Sequence, residues 1–120
     1  MLNLDTHVLI ASLADDLTDR ERSMVVKENL AISDIVLWEL AKLVEFGRVV
    51  MDLDSVAFRR TLRHLTIIPI SIQIARRSTR LDFSSDPADE IIVATSIVER
   101  IPLLTRDRKI LKSRMVPFPK

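Results

Sequence analysis

Asp86-Pro87-Ala88-Asp89-Glu90-Ile91-Ile92-Val93-Ala94-Thr95-Ser96 sets two carboxylates at the mouth of an apolar helix. Asp86 suits the N-cap, Pro87 the first helical position, and Asp89 falls one turn in. The run Ile91, Ile92, Val93, Ala94, Ile97 and Val98 is too apolar for a surface helix, so a buried helix begins with negative charge. Helix capping alone would favour both acids here, because the N-terminus carries unpaired N–H groups and a partial positive charge. The stretch becomes a candidate site through three other acids at the ends of apolar segments, Asp5, Glu39 and Asp107. Acids in such places cost most unless they are paired, hydrogen-bonded or bound to a metal.

Outward from that helix, the chain reads as strands alternating with helices. Met1 to Asp5 predicts a short buried strand, and the period turns helical through Val8, Leu9, Ser12 and Leu13. Asp5 ends that strand, either as N-cap of the next helix or as a site residue, with the Thr6 hydroxyl beside it. Residues 15–29 read as a loop and a solvated helix. Leu30 to Ser33 predicts a second strand, and Ser33 or Asp34 caps a helix ended by Gly47, with Ile35, Trp38, Leu43 and Phe46 as its apolar face. Glu39 lies on that helix, where an ion pair with Lys42, Lys27 or Arg48 is its ordinary use.

Asp52 to Leu65 is helical in pattern with Val56, Phe58, Leu62 and Leu65 inside, Thr66 to Ile70 a strand, and Ser71 the cap of a helix bearing Arg76, Arg77 and Arg80. With Arg59, Arg60 and Arg63, these arginines bias the middle of the chain toward a phosphate backbone, and a solvated helix face explains them equally. Leu81 to Ser85 is a loop into the Asp86 helix. Ile101 to Leu104 predicts a strand with Thr105-Arg106-Asp107 at its end, followed by a helical turn over Lys109–Lys112 and a last strand over Met115–Phe118.

Composition bounds the answer. At 120 residues, with 48% apolar residues and one Gly, the chain is expected to be a single compact domain over residues 1–120. Without Cys there is no disulfide framework, zinc-thiolate site or cysteine nucleophile, which fits a reducing cytoplasm. The first residues lack a basic signal-peptide start, and no apolar run approaches the roughly 20 residues that span a bilayer, so no membrane association is expected. A net charge of +1 excludes no partner, while the few aromatic residues argue against base stacking on a sheet face. His7 and His64 stand alone, without a ligand partner at helical spacing.

This alternation with few hairpin signals predicts an α/β fold whose mainly parallel sheet is covered by helices on both faces. In such sheets ligands bind at the carboxyl ends of the strands. Asp5, Asp107, Asp89 and Glu39 can then converge on one edge. Four close carboxylates repel, so they raise one another's pKa or recruit cations. Oxygen-only ligands select Mg²⁺ or Mn²⁺, and such an ion assists phosphodiester hydrolysis.

The order Asp5-Thr6, Ser33-x-x-x-x-Trp38-Glu39 followed by Gly47-Arg48, Asp86-Pro87-x-Asp89-x-x-x-x-Ala94, and Thr105-x-Asp107 resembles the PIN-domain ribonucleases. It is similar in particular to the VapC-type toxins of toxin–antitoxin pairs, across almost the whole chain. The resemblance implies a three-layer α/β/α PIN-like domain acting as a Mg²⁺- or Mn²⁺-dependent endoribonuclease on RNA, usually a homodimer, inhibited by a cognate antitoxin. Carried over by position, Asp5, Glu39, Asp89 and Asp107 match the acidic quartet. Asp5, Asp89 and Asp107 would hold the metal and Glu39 would bind it or position the attacking water. Thr6 and Thr105 match supporting residues, and Asp86 a cap or outer support. Glu90 departs from the pattern, since many relatives carry Arg there. Three other readings compete: a catalytically silent RNA- or protein-binding module, a DNA-directed nuclease, and a receiver-like phosphate acceptor. The last fits poorly, since Asp5 has no acidic neighbour. Apolar residues left over on several helices also point to a partner surface.

Overall fold

The computed structural model describes all residues 1–120. Four short strands, β1 (Leu2–Leu4), β2 (Leu30–Ser33), β3 (Leu65–Ile68) and β4 (Leu103–Leu104), form one sheet in the order β3-β2-β1-β4. Every pairing is parallel, with Leu2 opposite Leu30, Asn3 opposite Leu103 and Ser33 opposite Ile68. The seven helices are α1 (Thr6–Leu13), α2 (Asp19–Lys27), α3 (Ile35–Glu45), α4 (Val56–Arg63), α5 (Ile72–Ser78), α6 (Pro87–Glu99) and α7 (Arg108–Leu111).

Parallel strands need crossovers, and these are right-handed almost without exception. The connections β1 to β2 and β2 to β3 step one way across the sheet, whereas β3 to β4 returns past β1. The hand of the crossover therefore sends α5 and α6 to the face opposite the earlier helices, which gives the three-layer α/β/α architecture. The strand order reverses between β1 and β4, so a crevice opens at their carboxyl ends.

The core explains why such short strands hold. Leu2, Leu4, Ile32 and Leu103 from the sheet are closed over by Val8 and Leu9 of α1, Val36 and Leu40 of α3, and Ile92 and Val93 of α6. Ile92 through Ser96 are all buried, so α6 is the central helix that its sequence predicts. Truncating Ile92 to Ala would cost about 2–5 kcal/mol. A polar tie sets the height of α6 against β1: the buried Asn3 carboxamide donates to Ser96 Oγ at 2.9 Å and to the Ile92 carbonyl at 3.3 Å.

Several elements depart from the sequence expectation. The buried side of α3 is Val36 and Leu40, while Trp38 and Phe46 are 54% and 69% exposed. Trp38 follows Val36 by two residues, about 200° around the helix, so the two cannot share a face. Gly47 does end α3, with φ of +69°. The helix read from Asp52 begins only at Val56, which is exposed, and Leu65 belongs to β3. Ser55 stops it from starting earlier by capping the Phe58 N–H. Met115 to Phe118 forms no strand. Only the Pro117 carbonyl meets β4, accepting from Leu103 N at 2.9 Å, and Pro117 and Pro119 have no N–H to continue a ladder.

Candidate active site

Each acidic candidate is delivered by the end of an element. Asp5 leaves β1 as the N-cap of α1, its Oδ1 accepting from Thr6 N at 2.8 Å. Asp107 follows β4 as the N-cap of α7, its Oδ1 accepting from Lys109 N at 2.8 Å and Ile110 N at 3.2 Å. Asp89 stands in the first turn of α6, and Glu39 projects from the second turn of α3. Asp5 and Asp107 thus flank the β1/β4 crevice.

Hydroxyls join these acids. Thr105 Oγ1 donates to Asp5 Oδ2 at 2.6 Å and accepts from Asp107 N at 3.1 Å, so one threonine fixes two of the four. Thr6 Oγ1 donates to Glu39 Oε1. Ser85 Oγ donates to Asp89 Oδ2 at 2.9 Å. Glu90 turns to the same residue, accepting from Ser85 N at 3.2 Å, so its charge braces the loop before α6. Asp86 occupies the N-cap position with no side-chain capping bond and is exposed.

Burial and neighbouring charge shift two of the four carboxyls in the same direction. Asp5 is 2% exposed. Burial pushes its carboxyl above the ordinary 3.8, the Thr105 hydroxyl, the Thr6 N–H and the charge of His7 pull it back, and Glu39 adds a smaller upward push. Burial likewise raises Asp89, against the Ser85 hydrogen bond, and the charges of Asp5, Asp107 and Asp86 add to it. No basic side chain forms an ion pair with any of the four. Glu39 does not pair with Lys42, whose ammonium instead sits 5.4 Å from the Trp38 ring centre.

The donor set suits a hard cation. Glu39 Oε2, Asp89 Oδ1 and Asp107 Oδ2 accept no hydrogen bond from the protein, and none is sealed from water. As the side chains stand, no three acids or histidines close tightly enough to grip one ion. Glu39 and Asp89 are each turned toward a hydroxyl. Carboxylates and waters together can complete an octahedral Mg²⁺ shell, which seldom uses an all-protein cage.

Other candidates fall elsewhere. Arg76, Arg77 and Arg80 line a shallow cavity with Val98, nine residues beyond Asp89 and thus ~14 Å farther along α6. His7 and His64 are exposed. The sequence reading missed Glu21, which is buried in α2 and grips Arg106 through two bonds, Nε to Oε2 at 2.8 Å and Nη2 to Oε1 at 2.7 Å. Arg106 Nη2 also donates to the Asp16 carbonyl at 2.9 Å. This clamp holds the loop that carries Thr105 and Asp107. The capping-box spacing Thr18-x-x-Glu21 was legible and marks where α2 starts, whereas nothing in sequence links Glu21 to Arg106.

A PIN-domain family model matches residues 3–114. Ribonuclease VapC22 of Mycobacterium tuberculosis is 33% identical over 95 residues, covering 77% of this chain and 72% of that protein. Among solved structures, a toxin–antitoxin complex from Klebsiella pneumoniae superposes with a TM-score of 0.72 at 26% identity, covering 93% of this chain and 91% of that one. VapBC2 from Rickettsia felis, bound to a DNA fragment from its promoter, superposes with a TM-score of 0.71 at 18% identity, covering 99% and 98%, a likeness of fold. With the strand order, the acids at the β1/β4 crevice and these matches in agreement, the chain belongs to the PIN-domain family, in its VapC-type branch.

Proposed function

We propose that this chain is a Mg²⁺- or Mn²⁺-dependent endoribonuclease that hydrolyses RNA phosphodiester bonds as the toxin of a toxin–antitoxin pair. The observation that carries the reading is four carboxylates at the end of the sheet where the strand order reverses, none of them ion-paired to a basic side chain. Capping explains one oxygen of Asp5 and one of Asp107. It does not explain why Asp5 is buried, or why it lies within reach of the Glu39 and Asp89 charges. The relative named a ribonuclease and the similar toxin–antitoxin complex support the activity and the antitoxin partner. A homodimer and a cytoplasmic location belong to the same reading.

Asp5, Asp89 and Asp107 would hold the ion, directly or through water. When bound it would supply positive charge for a phosphodiester in reaction. Asp5 is pinned by Thr105 and Thr6, so it gives a fixed anchor with little freedom to lose. Glu39 has Oε2 free and Oε1 held by Thr6, an arrangement suited to orienting a water and taking its proton. Thr6 and Thr105 fix the carboxylates, and Asp86 adds charge at the rim.

The test is a time course on a labelled single-stranded oligoribonucleotide with purified protein, in Mg²⁺, in Mn²⁺ and in EDTA, beside a DNA of the same sequence. Cleavage of RNA that needs the ion and disappears in Asp5→Asn is expected. Full cleavage in EDTA or by Asp5→Asn overturns the assignment, and equal cleavage of DNA overturns its RNA specificity.

A further inference from the structure

Trp38 and Phe46 are large aromatic side chains that α3 leaves in water, 54% and 69% exposed. Burying the exposed part of either would be worth about 1–2 kcal/mol, so the solvated position forgoes a substantial gain. Both belong to one concavity of about 430 Å³, whose wall also includes Glu39, Lys42, Arg48 and Asp86. Lys42 Nζ lies 5.4 Å from the Trp38 ring centre and 5.8 Å from that of Phe46. Two π-faces, an ammonium on a flexible stem and a planar guanidinium are thus assembled beside a carboxylate of the acidic cluster.

Each part matches one part of an unpaired nucleotide. Bases stack on aromatic side chains regardless of sequence, because every base has a π-face. Lys42 can swing from the rings to a phosphate, and Arg48 offers a fork of donors that fits phosphate oxygens. Glu39 lines this concavity with Trp38 and accepts from the Thr6 hydroxyl next to Asp5, so a base seated on Trp38 would share the concavity with one carboxylate of the cluster. Lys42 and Arg48 give phosphate oxygens two cationic partners here, whereas an apolar protein face docked over the concavity would leave these charges and Asp86 without water or partner.

We propose that the Trp38–Phe46 face of α3 is a nucleobase-stacking subsite, seating an unpaired base of single-stranded RNA beside the phosphodiester to be cut. The proposal rests on the nuclease reading for what happens next to the base, although binding itself needs no cleavage. Substrates whose bases are locked in a duplex cannot enter, which makes the subsite a selector for single strands.

Trp38 is the only Trp and there is no Tyr, so intrinsic emission reports this position alone. In EDTA, where no cut is expected, a six-nucleotide single-stranded RNA should quench Trp38 emission saturably, and a blunt duplex of the same sequence should not. In Mg²⁺, Trp38→Ala should raise KM for the single strand roughly 5- to 100-fold with kcat within about twofold, the range set by one lost base stack. Trp38→Phe should restore most of it. Exposure of the ring lets both variants keep the fold, which far-UV circular dichroism verifies. Cleavage by the wild type with unmoved emission and an unchanged KM in Trp38→Ala sinks the subsite and leaves the nuclease standing. Quenching by RNA without any cleavage sinks the nuclease and keeps the subsite. Emission that follows protein concentration instead of RNA, with Trp38→Ala shifting a dimer to monomer on size exclusion, assigns the face to contact between copies and overturns the proposal.

Discussion

Replacing Glu21 with Gln isolates the clamp that holds the Thr105–Asp107 loop. The substitution keeps shape and leaves the Thr18 hydroxyl capping the residue-21 N–H; its amide oxygen can still accept from Thr18 N, while the charge and one of the two oxygens that meet Arg106 are lost. Arg106 holds the Glu21 carboxyl down to about 2 from its ordinary 4.5, a difference worth at most roughly 3 kcal/mol. The Glu21 side chain is 9% exposed and that of Arg106 40%, so one end of the pair is screened by water. A fully exposed pair would give 1 kcal/mol or less and breaking a buried one 3–5, so about 1–2 kcal/mol is expected at pH 7. The pH dependence has a definite sign. A carboxyl whose folded pKa is lowered stabilises fully above 4.5 and loses that contribution as pH falls toward 2.

Urea unfolding followed by far-UV circular dichroism, at one protein concentration, reads this directly. At pH 7 the midpoint should drop by roughly 0.5–1 M for the variant, given a typical slope for a small domain. The gap between wild type and variant should shrink across pH 4.5 to 2. A gap that stays constant over that range, or one below ~0.3 kcal/mol at pH 7, refutes the account. RNA cleavage should fall with the fold retained, because Thr105 and Asp107 lose the anchor between them.

Two further outcomes follow from the site. Asp5→Asn should lower cleavage roughly 100-fold or more, the scale of removing one group that stabilises a charged transition state. It should also hold or raise the melting temperature at pH 7 but not below 3.8, because a carboxyl raised by burial penalises the folded state only where it is ionised. Thermal melts at the two pH values decide it, and a lower melting temperature at pH 7 alone would contradict it. Thr105→Val removes the hydroxyl that donates to Asp5 and accepts from Asp107 N, at a cost of about 1–3 kcal/mol. It takes away a downward influence on the Asp5 carboxyl, so the acid limb of the cleavage pH profile should move to higher pH, and an unmoved limb would count against the bridge.

The parts of this molecule that sequence discloses are those governed by local rules. Asp5, Asp89 and Asp107 stand at a strand end, a helix start and a second strand end, and turning points of that kind show in the switch of hydrophobic period. The burial of α6 was likewise visible, because a helix apolar on every side has nowhere else to go. The ring-bearing residues of α3 depart from their sequence pattern for a reason of the same kind. Apolar type alone does not specify burial, and Val36 and Leu40 already fill the inward face and leave Trp38 outside. Glu21 and Arg106 lie 85 residues apart, and no periodicity carries a pairing over that distance.

The placement of the acids and the orientation of their oxygens have different physical origins, and the second bears on function. The acids are placed by backbone geometry, which a strand-helix pattern encodes, and the same pattern cannot specify which oxygen each carboxylate turns toward its neighbours. That choice is made by Thr6, Ser85 and Thr105, three hydroxyls that each take up one carboxylate oxygen and orient the other. Hydroxyls suit this work because they donate without adding charge. A lysine or arginine in their place would neutralise the cluster and remove its reason to bind a cation. Retaining four acids with no ion pair to any of them, and neutral donors fixing each, is a costly arrangement by itself. It becomes favourable when a divalent ion enters, so metal should both stabilise the fold and complete the site. A melting temperature unchanged by millimolar Mg²⁺ or Mn²⁺ at pH 7 would break that link.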